Sequence, residues 1–213
     1  MPVSAHPDFD VDISARALGP NLPQRLGRRL WAPMLLMAMM AFPVGLILGF
    51  VRSDLVAGNG SPAAIAALDH FIPAVMFLGF ATVFAAISFA IARILGVLRQ
   101  GGGEVQQAAG HTVHTLRMQR IGWVFISLMA MAMMIVLAGV AGHLIVGSSI
   151  TAGSASLLAQ SETWGIWFES VRRIGTALYL VAIALGLATI IGALRFQVFR
   201  LRELPNEAPA PTR

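Results

Sequence analysis

Four stretches of nearly equal length contain no Asp, Glu, Lys, Arg or His, and each is closed at both ends by an arginine or a histidine. Arg29 and Arg52 bracket 22 residues, His70 and Arg93 bracket 22, Arg120 and His143 bracket 22, and Arg173 and Arg195 bracket 21. At about 1.5 Å rise per residue, helices of this length match a hydrocarbon layer about 30 Å thick. Inside that layer a backbone finds no water, so it must satisfy its own N–H and C=O groups, as a helix does. The expected fold class is all-α and membrane-embedded, a four-transmembrane-helix bundle with spans over 30–51, 71–92, 121–142 and 174–194.

The hydrophobic fraction of 57% against 12% charged residues lies outside the range of a soluble globular domain. A formal charge of +5 does not point to nucleic acid, because the positive residues cap apolar windows instead of forming a continuous polar face. No cysteine is present, which excludes disulfides, thiolate metal sites and cysteine nucleophiles. The first window runs on without a small-residue cleavage site and reads as a retained span, not a signal peptide. If the windows alternate, 12 arginines fall on one side and only Arg52, Arg172 and Arg173 on the other. That bias predicts a multi-pass protein of the bacterial inner membrane with both termini cytoplasmic.

Three regions are expected. Residues 1–29 form a cytoplasmic tail, acidic and mostly disordered at Asp8, Asp10 and Asp12, then basic from Arg25 to Arg29. Residues 30–204 form the membrane domain, and the Pro-rich stretch 205–213 is a disordered tail. Within the membrane domain Pro43 should kink the first span. Asn59-Gly60-Ser61-Pro62 signals a turn, with Ser61 as N-cap and Pro62 opening a short helix toward Asp69. The triplet Gly101 to Gly103 reads as a flexible break before an amphipathic surface helix from Glu104 to Gln119. Trp164, Trp167, Phe168 and Val171 recur at helical spacing and read as an interfacial face.

The two halves resemble each other. Met37-Ala38-Met39-Met40 recurs as Met131-Ala132-Met133-Met134, Gly45 then aligns with Gly139, and Gly96-Val97-Leu98-Arg99 aligns with Gly192-Ala193-Leu194-Arg195. Duplication of a helical hairpin predicts two parallel repeats related by an axis along the membrane normal. Small residues permit close helix approach, and the expected packing positions are Gly45, Gly49, Gly96, Gly139, Gly142, Ala184, Ala188 and Gly192. Expected interface anchors are Arg29, Arg52, Arg93, Arg120, Trp164, Trp167, Arg173 and Arg195.

Residues able to carry chemistry are few. His70 and His143 fall at similar depth on neighbouring spans and could ligate a metal or haem, although edge positions shared with Arg52 and Arg173 place them in the general anchoring pattern. His111 and His114, one turn apart on the surface helix, could join Glu104 around Zn²⁺, but the spacing matches no zinc motif. Met129 and Met133 share a helical face and could offer thioethers to Cu(I), or simply pack. Hydroxyls within the spans have no partner base, so the chain reads as no enzyme, with no cofactor.

The stretch Ile94-Leu95-Gly96-Val97-Leu98-Arg99-Gln100-Gly101-Gly102, followed after a helical approach by Leu116-Arg117-Met118-Gln119-Arg120-Ile121-Gly122-Trp123, resembles the centre of an uncharacterised bacterial four-span family, domain-of-unknown-function family 2975. The resemblance implies a four-helix fold and brings no active site. The expected function is that of a non-enzymatic integral membrane protein acting by helix packing, a subunit or assembly partner whose contacts are the lipid bilayer and a membrane-protein partner or second copy. The alternatives are a small-solute or copper transporter and a haem or metal carrier.

Overall fold

Local chemistry at the helix ends sets the element boundaries. Asn21 and Gln24 bond reciprocally, each side-chain oxygen accepting the other's backbone N–H at 3.2 Å, which closes a capping box ahead of the first long helix. That helix, α1 (Leu22–Ala57), ends where Asn59 takes a left-handed conformation (φ 53°) and the Gly58 and Gly60 amides bond back to Asp54 and Leu55. Ser61 then accepts the Ala64 amide at 3.4 Å, and Pro62 opens α2 (Pro62–Ala108). The computed structural model describes residues 11–13, 19–117 and 120–203. Its other elements are β1 (Val11–Ile13), β2 (His114–Leu116), α3 (Arg120–Thr151), α4 (Ala155–Ala159) and α5 (Ser161–Glu203).

Among the described residues, α1, α2, α3 and α5 are long and apolar enough to cross a membrane. Their lengths exceed the uncharged windows: α2, with 47 residues, is about 70 Å long and outruns any hydrocarbon layer. Pro33, Pro43 and Pro73 are all carried inside continuous helices.

Contacts divide the chain into two compact units. One gathers 31–87 and 127–182. Its core takes Ala74, Phe77 and Ala81 from α2, Ala132, Val136 and Val140 from α3, and Tyr179 from α5, at the three- and four-residue spacings of one helix face. These faces meet through close packing of small and large side chains. Glycines provide the closeness. A Cβ at Gly45 would lie 2.7 Å from Met76 Sδ, at Gly147 2.9 Å from the Phe71 ring, and at Gly175 2.6 Å from Val136 Cγ2. Tyr179, fully buried, stacks on Phe84 at 4.8 Å and donates its hydroxyl to Met133 Sδ at 3.0 Å.

The other unit gathers residues up to 30, 88–126 and those from 183 onward. Here α1 meets α2 so closely that a Cβ on Gly27 would sit 2.6 Å from the Phe89 carbonyl oxygen, and one on Gly96 would sit 3.2 Å from Gln24. A Cβ on Gly186 would lie 2.9 Å from Ile91 and 3.0 Å from Phe125. β1 pairs antiparallel with β2 in the register Val11 to Leu116, Asp12 to Thr115 and Ile13 to His114.

Several expectations are corrected. The Gly101 to Gly103 triplet is helical, and α2 runs through it to Ala108. In place of a separate surface helix from Glu104 onward, Glu104 to Ala108 ends α2, the chain turns at Gly110, where φ is 73°, and then extends into β2, while 118–119 lie outside the described residues. The short helix expected from Pro62 to Asp69 is the first part of the uninterrupted α2. In the tail of residues 1–29, Val11–Ile13 is a strand and α1 begins at Leu22, while 1–10 and 14–18 lie outside the described residues, as does the Pro-rich tail 205–213.

Candidate functional site

Two buried polar constellations stand out, one in each unit. In the first, α2 presents His70 and α3 presents His143, both almost fully buried, with their Nδ1 atoms 3.0 Å apart. Two imidazoles in that geometry share one proton, one ring donating and the other accepting. His70 Nε2 meets Ser161 Oγ, at the start of α5, at 3.1 Å, whereas His143 Nε2 is buried with no hydrogen-bond partner among the described residues. Whichever tautomer is present, one polar nitrogen of His143 is left unsatisfied.

Aromatic rings enclose the pair. The His143 ring lies 4.9 Å from that of Phe168 and 5.4 Å from that of Phe77. Trp164 stacks on Phe168 at 5.7 Å, and the Arg172 guanidinium covers Phe77 at 4.5 Å while pairing with Glu169. Gly142 makes room for this box, since a Cβ there would run into the Phe168 ring. The arrangement can hold one proton between the two Nδ1 atoms. Among the described residues no three His, Cys, Asp or Glu side chains gather into a metal-binding group.

The second constellation centres on Arg200 of α5, which is 2% exposed. Gln106 Oε1, equally buried, accepts from Arg200 Nε at 3.0 Å and from Nη2 at 2.5 Å, and also accepts the His114 backbone amide at 2.9 Å. Gln197 Oε1 lies 3.5 Å from Arg200 Nη1, and its amide donates to the Leu98 carbonyl. The glycine triplet acquires its reason here: a Cβ on Gly102 would fall 2.5 Å from Arg200 Nη1 and collide with Gln197. Beside this network is a cavity of about 310 Å³, lined on its polar side by Arg99, Arg117, Arg200, Gln24 and Gln197 and on its apolar side by residues that include Leu95, Phe125 and Phe196.

The residues singled out from the sequence fall as follows. His70 and His143 are brought together, but as a buried bonded pair and not as exposed edge anchors. His111 lies in the turn after α2 and His114 in β2, so the shared helical face with Glu104 does not exist. Met129 and Met133 pack on the Phe77–Tyr179 core. Among the packing positions, Gly45, Gly96 and Gly142 face close neighbours, a Cβ on Gly139 would meet only Val171 at 3.8 Å and the Phe168 carbonyl at 4.0 Å, one on Gly49 would meet nothing within 4 Å among the described residues, Ala184 and Ala188 are exposed, and Gly192 is half-buried.

Among the expected anchors, Arg29, Arg93, Arg120, Trp167 and Arg195 are exposed. Arg52 pairs with Asp69, Arg173 with Glu169 at 3.1 Å, and Trp164 stacks on Phe168, itself half-buried against the histidines. Arg200, Gln106 and Gln197 were not singled out. Only the pile-up of Gly101 to Gly103 hinted that something approaches α2 at that level. Comparison with known protein families, with curated proteins and with solved structures finds no match for this chain.

Proposed function

We propose that the chain is a non-enzymatic integral membrane protein that works through side-to-side helix contact, as a subunit or assembly partner of a membrane complex. The observation that carries this reading is the outward placement of small residues that sit at packing spacing. Gly49 has open space beside it, and Ala184 and Ala188 are exposed while Gly186 alone of that stretch is closed against neighbours. Only 17% of the most apolar window of α1 is buried, against 50% for α2, so much of α1 outside its contact with α2 is exposed. In a bilayer such a surface meets either lipid or another helix, and small residues favour the helix because backbones then approach closely.

In this reading both termini lie in the cytoplasm of a bacterial cell, and the two hairpins are parallel repeats of one ancestral unit. The resemblance to domain-of-unknown-function family 2975 is consistent with it, since that family supplies four spans and no active site. Native mass spectrometry after mild-detergent extraction tests the proposal. A defined oligomer or a co-purifying membrane protein is expected, and Gly49→Leu or Ala188→Leu should release it. A strict monomer bound to nothing counts against it.

A further inference from the structure

The Arg200 cavity combines a charge with a shape. A guanidinium has five N–H donors, and Arg200 spends three of them on amide oxygens, one at 3.5 Å. Both partners are neutral, and none of the ion pairs among the described residues involves Arg200. A buried cation held by neutral amides, with the Phe196 ring centroid 5.3 Å from its guanidinium carbon, retains its charge and two donors for an anion. Arg200 lines the cavity, and a planar guanidinium fork matches phosphate.

Size narrows the choice. A cavity of about 310 Å³ lies at the small end of the range of small-molecule sites, about 300–1,000 Å³, which suits a compact phosphate ester such as a glycerophosphate. The apolar wall, with Leu95, Leu98, Phe125 and Phe196, gives the uncharged part of such a molecule a surface.

We propose that this cavity is a binding site for a glycerophosphate anion, with Arg200 as its principal ligand. Arg99 and Arg117 also line the cavity, and Gln106 with Gln197 holds the Arg200 fork in place. The same chemistry occurs in the head group of an anionic phospholipid and in a free phosphate ester.

Titration calorimetry on the purified full chain in a non-ionic detergent distinguishes the sources, using dihexanoyl phosphatidylglycerol, dihexanoyl phosphatidylcholine and sn-glycerol 3-phosphate. Phosphatidylglycerol should bind and phosphatidylcholine should not. Glycerol 3-phosphate binding as tightly as the lipid assigns the free ester, and weaker binding assigns the lipid. Arg200→Gln should weaken binding about tenfold or more, while Arg195→Gln, exposed on the same helix, should leave it unchanged. Leu95→Trp narrows the cavity without removing charge, so it should weaken binding about tenfold or more, and it carries the test if Arg200→Gln does not fold. Equal binding of the two lipids, an Arg195→Gln loss as large as that of Arg200→Gln, or full affinity in Leu95→Trp overturns the proposal.

Discussion

His70 and His143 approach each other through the same ring atom, Nδ1 to Nδ1 at 3.0 Å, from two different long helices. Because one ring must donate and the other accept, the pair is a unit, and each member's value depends on the other. Replacing one by Phe should leave a buried nitrogen unpaired and cost about 1–3 kcal/mol. Replacing both should cost less than the sum of the two. A double-mutant cycle on thermal unfolding in detergent measures the difference, and a coupling indistinguishable from zero would show that the rings merely sit side by side.

The glycines separate into two kinds, which gives a second prediction. At Gly27 the atom in the way is a backbone carbonyl, 2.6 Å from the place of a Cβ, so Gly27→Ala must move a helix and should destabilise by about 1–3 kcal/mol. At Gly49 the space is open, and Gly49→Ala should leave monomer stability within about 0.5 kcal/mol. Parallel melting curves compare them, and equal losses at both sites would contradict the packing described.

Tyr179 contributes mainly through its ring. Its hydroxyl finds only a thioether, a weak acceptor, whereas its ring is fully buried against Phe84 and the α3 face. Tyr179→Phe should therefore cost about 1 kcal/mol or less, and Tyr179→Ala about 3–5 kcal/mol. Unfolding titrations of the two variants check the ratio.

Since the natural chain has no cysteine, the strand register can be read chemically. Asp12→Cys with Thr115→Cys places two thiols at directly opposed positions of an antiparallel pair, close enough to bridge. Oxidation should remove both free thiols, as counted by alkylation and mass spectrometry. Val11→Cys with His114→Cys, two residues out of register, should remain largely alkylated.

The windows and several helix ends were legible because their signals are local: absence of charge over a membrane thickness, and Ser61 before Pro62. Rotational phase was not. A helix apolar all round has no preferred face, so nothing in the chain distinguishes Arg52, which reaches an exposed partner in Asp69, from His70, which turns inward, although both close an uncharged window. The same ambiguity hid Gly186 as the contact residue and favoured Ala184 and Ala188. The network of Gln106 and Arg200 joins residues 94 positions apart, and no local spacing announces such a pair. The glycine triplet was misread because its local preference is to break a helix, whereas its tertiary surroundings need the absence of a side chain.

The pairing of β1 with β2 bears on the order in which the chain is made. Val11–Ile13 leaves the ribosome before any helix, but its partner His114–Leu116 emerges only after α1 and α2 have been synthesised. Throughout that interval the segment has no strand to join, so it is available to whatever meets the nascent chain. Its docking then records that two of the four long helices already exist.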